Sequence, residues 1–135
     1  METSNQNLTV SKSALWTGRI LSGIAVLFML FDGTIHLMVI QPVVDSFTQM
    51  GYPVSISRSL GIIELTCVIL YLIPKTSFLG VVLLTGYLGG AVSAQARIDA
   101  PFFSTEIFPV YIGILAWGGL YLRDLKLRSI FPFRS

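Results

Sequence analysis

The stretch Ser77–Ala96, "SFLGVVLLTGYLGGAVSAQA", decides the fold, because none of its residues is charged. A helix that crosses the hydrocarbon core of a bilayer needs about 20 mostly apolar residues. The whole 135-residue chain has the same character: 53% of its residues are hydrophobic, 12% are charged, and its mean hydropathy is +0.76. Soluble domains carry about 25% charged residues. The sequence therefore predicts an integral membrane protein.

Three further apolar runs, residues 15–38, 57–73 and 105–122, are long enough to be spans. We therefore predict an all-α, four-helix transmembrane bundle over residues 15–122, with a polar N-terminal segment (1–14) and a basic C-terminal tail (123–135). We interpret the first run as an uncleaved span, because no small-residue cleavage pattern follows it. Pro109 falls in the first turns of the last span, where a missing amide is tolerated.

The connections between these spans differ in length. "IPKTS", between the second and third spans, predicts a tight turn and antiparallel neighbours. The connection over residues 39–56 is longer and rich in turn residues, so we expect a loop there. "RIDAPFFST" precedes the fourth span, and Thr105 is a plausible N-cap for that helix.

Basic residues are distributed unequally between the two sides of such a bundle. Four spans place both termini on one side, which carries seven basic residues, and the other side carries two. The positive-inside rule therefore predicts cytoplasmic termini in a bacterial inner membrane. The seven are Lys12, Arg19, Lys75, Arg123, Lys126, Arg128 and Arg134, and the two are Arg58 and Arg97.

Several classes of site are excluded by composition. The single cysteine, Cys67, excludes an intrachain disulfide and a Cys-x-x-Cys redox pair. One histidine cannot provide bis-histidine haem ligation, and an ordinary zinc site needs more histidine or cysteine. We therefore predict no metal site. The sequence has no phosphate-binding loop and no serine-nucleophile motif. It also has no basic aromatic patch, so nucleic acid is not an expected partner.

Ionisable residues inside a span are costly and usually functional. In the stretch "FDGTIHLM", Asp32 and His36 are four residues apart, which places them on one helix face about 6 Å apart in depth. The second span runs inward from Arg58, which marks its outer boundary. Glu64 comes six residues later and so lies about 9 Å below that boundary. Gln95 and Arg97 end the third span at the same side. The topology thus predicts one polar layer, in the outer half of the membrane, with Tyr87 beneath it.

This layer has two interpretations. Two carboxylates at similar depth cannot both ionise cheaply unless His36 or Arg97 compensates. Asp32, His36 and Glu64 could therefore move protons as acid and base, while Tyr87, Gln95 and Arg97 bind a lipophilic substrate or a quinone carbonyl. The alternative is a polar network that only locks helix register. Arg97 alone is typical of an interfacial anchor.

Small residues form two rows on the third span. Gly86, Gly90 and Ala94 recur every four residues, and Gly89 and Ser93 form a second row. Small residues let helices approach closely in lipid. We expect this face to pack within the bundle, and the alternative is a homodimer seam.

The sequence from residue 15 to 122 resembles the DoxX-like membrane proteins. The matching features are "FDGTIHL", "GYP" at 51–53, the Gly61-x-x-Glu64 motif, the turn at Pro74, "TGYLGGA" at 85–91, and Arg97. The chain departs from the family pattern at Gln95, where members often carry histidine. The resemblance implies a four-helix membrane bundle. It also implies a link to quinone-dependent membrane oxidoreduction, because the family name comes from a subunit of thiosulfate oxidation.

Three functions stay open at this point. The first is a subunit or accessory of quinone-linked oxidoreduction, with a polar pocket that faces outward and a membrane redox partner. The second is a proton-transfer isomerase or cyclase for a small lipophilic substrate. The third is a non-catalytic packing partner of another membrane protein. A pocket that holds Asp32, His36 and Glu64 would favour the second, and a small dry core with paired charges would favour the third.

Overall fold

A computed structural model describes residues 9–131 of the chain. Every regular element in this part is a helix or a helical turn. A short 3₁₀ turn, Val54–Ile56, leads into the helix Ser57–Leu72, and a π-helical turn, Phe102–Glu106, precedes the helix Phe108–Arg123. The all-α prediction is confirmed. The first eight residues of the predicted N-terminal segment and the last four of the tail lie outside the described residues. The α-helices are α1 (Lys12–Met38), α2 (Gln41–Met50), α3 (Ser57–Leu72), α4 (Ser77–Ala96), α5 (Phe108–Arg123) and α6 (Leu125–Ile130).

Four helical segments of the described chain are long and apolar enough to cross a membrane: α1, α3 with the turn before it, α4, and α5 with the turn before it. Helix α1 packs against α3 and α5, and α4 packs against the same two helices. The outside of this bundle is apolar, since Leu27, Phe31 and Ile114 are each more than 60% exposed. Apolar side chains on the outer surface fit a bundle whose solvent is lipid.

Local signals explain where α1 begins and ends. The side chain of Ser11 accepts a hydrogen bond from the Ala14 backbone N–H at 3.2 Å, which caps the first turn. At the other end, Val39 takes a left-handed conformation and its N–H donates to the Ile35 carbonyl. The helix has 27 residues and begins three residues before the predicted span.

The connection over residues 39–56 contains a helix that we did not expect. Helix α2 is amphipathic: Val43, Phe47 and Met50 are buried, and the opposite face is exposed. Its buried face packs against Ala94 of α4 and contacts side chains of α1 and α3. Gly51 ends it with a φ of 75°, a conformation that favours glycine. The predicted loop is thus a surface helix that covers the ends of three spans, on the side opposite the α3–α4 turn.

The predicted cap at Thr105 is wrong. The Pro101 carbonyl accepts hydrogen bonds from the N–H groups of Thr105 and Glu106, at 2.9 and 3.0 Å, so Thr105 lies inside a π-helical turn. Helix α5 begins only at Phe108, and no side chain caps it. Pro109 does lie in the first turn of α5, as predicted.

The middle of the bundle is dry and closely packed. Tyr71 is 1% exposed, and its hydroxyl donates to the Ala116 carbonyl at 2.7 Å and accepts from Ser22 at 2.6 Å, which joins α1, α3 and α5. A cavity of about 10 Å³ lies beside it, lined mainly by aliphatic side chains, including Met29, Val68 and Leu84. An apolar space of this size does not hold water.

The expectation that the small face of α4 packs within the bundle is wrong for its glycines. A methyl group built at Gly86, Gly89 or Gly90 would meet no atom within 4 Å. The reason is the orientation of α4, whose buried face carries Gly80, Val81, Leu84 and Leu88 instead. Ala94 is buried, but against α2. A homodimer seam along the open glycine face stays a prediction.

Candidate functional site

Asp32 and His36 lie on the last two turns of α1 and face each other, as their spacing predicts. His36 Nδ1 lies 2.7 Å from the Asp32 backbone carbonyl and 3.4 Å from Asp32 Oδ2. A carbonyl oxygen can only accept, so Nδ1 carries a proton that it donates to this carbonyl. The imidazole N–H therefore points toward the oxygens of Asp32.

Glu64 of α3 lies beside this pair and is the most deeply buried acid among the described residues, with 0% of its surface exposed. The Tyr87 hydroxyl of α4 donates to Glu64 Oε2 at 2.9 Å, and His36 Nδ1 lies 3.8 Å from the same oxygen. Glu64 Oε1 has no hydrogen-bond partner within residues 9–131. Three helices thus meet at one carboxyl group that keeps an unsatisfied oxygen.

Two glycines allow α1 and α3 to come close enough for these contacts. A methyl group at Gly61 would lie 2.8 Å from the Gly33 carbonyl oxygen and 3.0 Å from His36 Cβ. One at Gly33 would lie 2.7 Å from Leu65 Cδ2. The sequence analysis did not assign Gly33 a role. The signal was present, since each glycine precedes a polar site residue by three positions.

Ser57 and Phe47 both contact His36, and neither was among the predicted site residues. The Ser57 hydroxyl, fully buried, donates to the His36 backbone carbonyl at 2.9 Å. The ring of Phe47, from α2, contacts the imidazole edge to face, with 5.6 Å between ring centroids. Ser57 offered no signal beyond its place at the start of α3, and Phe47 lay in the predicted loop.

Gln95 and Arg97 belong to the outer rim rather than to the cluster around Glu64. The Gln95 amide lies 3.8 Å from the sulfur of Met50, and the Arg97 guanidinium lies beside Gly51 and is exposed. Within residues 9–131, no hydrogen bond or ion pair joins either side chain to Glu64. These two residues contact the end of α2, and their predicted role in binding stays a prediction.

Exposure decreases from the surface toward Glu64. The side chains of Asp32 and His36 are 31% and 16% exposed, and that of Glu64 is 0% exposed. An ionised carboxylate with one neutral donor and a bare oxygen is expensive in such a place. A neutral Glu64 avoids this cost, and the partly exposed Asp32 and His36 lie between it and the protein surface.

A divalent cation is the other occupant that these groups could hold. Asp32, His36 and Glu64 each offer a ligand atom, and these atoms lie within 4.8 Å of one another. Nδ1, however, already donates to a carbonyl at 2.7 Å, and binding a metal would remove that hydrogen bond. Within this arrangement, Nδ1 is available to a metal only if that hydrogen bond is broken.

Comparison with known proteins identifies the family of this chain. No match was found among curated proteins or solved structures. A family model, by contrast, matches residues 20–119. This range contains α1 from its third turn, the whole cluster around Glu64, and most of α5. The chain therefore belongs to the DoxX-like family, as its motifs had suggested.

Proposed function

We propose that this protein is an accessory of quinone-linked oxidoreduction in the bacterial inner membrane. In this role it binds the polar head of a quinone and exchanges protons with it. The observation that carries the proposal is the fully buried Glu64, whose Oε1 accepts no hydrogen bond within residues 9–131. A protonated Glu64 can donate to the neighbouring Asp32 carboxylate, so the two acids can share one proton. A quinone carbonyl would compete with Asp32 for this proton.

Reduction of a quinone takes two electrons and two protons, and we assign the electrons to a membrane redox partner. Glu64 gives one proton to a quinone carbonyl oxygen. His36 takes up a proton at Nε2, so that its Nδ1, 3.8 Å from Glu64 Oε2, can return one to the carboxylate after a small side-chain movement. Asp32, the more exposed acid, takes up the replacement from the outer aqueous side. A second round of the same transfer gives the quinone its second proton.

Infrared difference spectroscopy tests the proposal directly. The full chain in nanodiscs is titrated with decylubiquinone, and the carbonyl stretching band of a protonated carboxylic acid is followed. We expect this band to shift when the quinone binds, because Glu64 gains a hydrogen-bond acceptor. In Glu64→Gln the shifting band should be missing, while the protein stays folded.

Glu106→Gln is the matched control. It makes the same chemical change in the turn before α5, at a residue that lies outside the cluster. This variant should keep the shifting band. A wild-type protein whose carboxylic acid band does not respond to decylubiquinone, or a Glu64→Gln variant that keeps the response, would refute the proposed role of Glu64.

The small molecules that co-purify with the bundle separate the alternatives. Organic extraction followed by mass spectrometry should recover a quinone from the wild-type protein. A different lipophilic carbonyl compound would favour the isomerase or cyclase, which uses Asp32, His36 and Glu64 as acid and base. An empty bundle, with a sturdier Glu64→Gln variant, would favour the non-catalytic packing partner, because removing a buried polar acid can stabilise a structure.

A further inference from the structure

A second polar site lies at the opposite end of the bundle, where both chain termini emerge. An open cavity of about 380 Å³ is formed there by the residues before α1, the α3–α4 turn and the α5–α6 junction. It is separate from the cluster around Glu64, which lies at the other end of α1 and midway along α3 and α4. The lining residues are Val10, Pro74, Ser77, Leu120, Arg123, Asp124, Leu125 and Lys126.

Arg123 gives this cavity an unsatisfied donor. Its Nε is buried and has no hydrogen-bond partner within residues 9–131. Its guanidinium lies over the ring of Tyr71, 5.5 Å from the centroid, so one face of the group packs on an aromatic surface. A guanidinium nitrogen that is withdrawn from water needs an acceptor. The bare Nε therefore indicates that an acceptor from outside the described chain binds here.

The charges around the cavity favour an anionic acceptor. Asp124 uses its Oδ1 to accept from the N–H groups of Lys126 and Leu127, as the cap of α6. Arg128 donates to the carbonyls of Tyr121 and Leu122, so it is already engaged. Arg123 and Lys126 make no ion pair with any acid in the described part of the chain. Two cations that form no ion pair within residues 9–131 thus line the cavity, beside one acid, Asp124, whose Oδ1 caps α6.

The depth of the cavity identifies the source of the anion. Arg123 is the last residue of the membrane-spanning α5, so the cavity lies at the level where lipid headgroups begin. Basic pockets at this level bind anionic headgroups, and each Lys or Arg near the surface adds about 1 kcal/mol. We propose that Arg123 and Lys126 bind the phosphate of an anionic phospholipid, and that this lipid seals the α5–α6 junction against the α3–α4 turn.

Native mass spectrometry of the delipidated full chain in detergent tests this site. Phosphatidylglycerol is titrated against phosphatidylcholine, which carries the same phosphate with a compensating amine. We expect the wild-type protein to prefer phosphatidylglycerol, and Arg123→Gln and Lys126→Gln each to weaken its binding about fivefold. Lys75→Gln is the matched control, because Lys75 is exposed at the same end but does not line the cavity. It should bind the lipid like the wild-type protein.

Each remaining outcome overturns the proposal. Equal binding of the two lipids by the wild-type protein would exclude an anion site. An equal loss of phosphatidylglycerol binding in Lys75→Gln and Lys126→Gln would show that general surface charge, and not this cavity, attracts the lipid. Displacement of the lipid by millimolar inorganic phosphate would make free phosphate the ligand. If Arg123→Gln does not fold, Lys126→Gln decides the question alone, because Lys126 is exposed and not part of the packed core.

Discussion

The contact between α1 and α3 at Gly61 is the most stringent structural prediction. In Gly61→Ala, the added methyl group would lie 2.8 Å from the Gly33 carbonyl oxygen, 3.0 Å from His36 Cβ and 3.2 Å from the Leu37 nitrogen. Two of these atoms belong to backbone and the third is fixed to it. None can move without moving α1, so the two helices must separate by several tenths of an ångström.

The size of the effect follows from this geometry. Forcing one extra methylene into a closely packed site typically costs about 1–3 kcal/mol. For a domain of this size, that corresponds to a fall in melting temperature of roughly 3–12 °C. The same separation should move His36 away from Glu64 and so weaken the cluster as well as the fold.

Cys67 provides the assay, because it is the only cysteine of the chain and is buried. A thiol-reactive fluorophore therefore reports unfolding during a temperature ramp in detergent. Gly89→Ala on α4 is the control, since its methyl group meets no atom within 4 Å and should leave the melting temperature nearly unchanged. Equal melting temperatures for the two variants would refute the close approach of α1 and α3.

Two further predictions concern the outer surface and the topology. Gly90→Leu should keep the wild-type melting temperature, because the new side chain has open space. If the glycine face is a dimer seam, this variant should show a smaller dimer fraction in size-exclusion chromatography with light scattering. A monomer with a lowered melting temperature would instead place this face inside the bundle. Topology can be tested by single cysteines introduced into a Cys67→Ala background. In intact cells, Ser4→Cys and Ser135→Cys should not react with an impermeant thiol reagent, and Gln49→Cys on α2 should react. The reverse pattern would contradict the cytoplasmic termini.

The spans were predictable because the bilayer imposes a strong and simple constraint. An uncharged run such as Ser77–Ala96 can only be a helix in lipid, since every backbone polar group must be satisfied within the segment. The meeting of Asp32, His36 and Glu64 was also predictable. Once the direction of each span is known, the rise per residue gives the depth of each ionisable side chain.

Helix α2 and the open glycine face were not predictable in the same way. The sequence of α2, "QPVVDSFTQM", is short and begins with a proline, so its apolar spacing at Val43, Phe47 and Met50 did not stand out from a loop. On α4, both lipid and neighbouring helices are apolar, so hydrophobicity does not distinguish the face that turns outward. The close approach at Gly80 rotates the glycine row away from the bundle.

The dry packing around Tyr71 has a consequence for bioenergetics. One turn below the cluster, Met29, Val68 and Leu84 line a cavity of about 10 Å³ that does not hold water. This layer of residues 9–131 therefore offers no room for water below the cluster. In the proposed function, protons taken up by Asp32 and His36 would return to the side from which they came, and the bundle would not leak the proton-motive force. Liposomes that contain the protein should accordingly hold a pH gradient as well as empty ones.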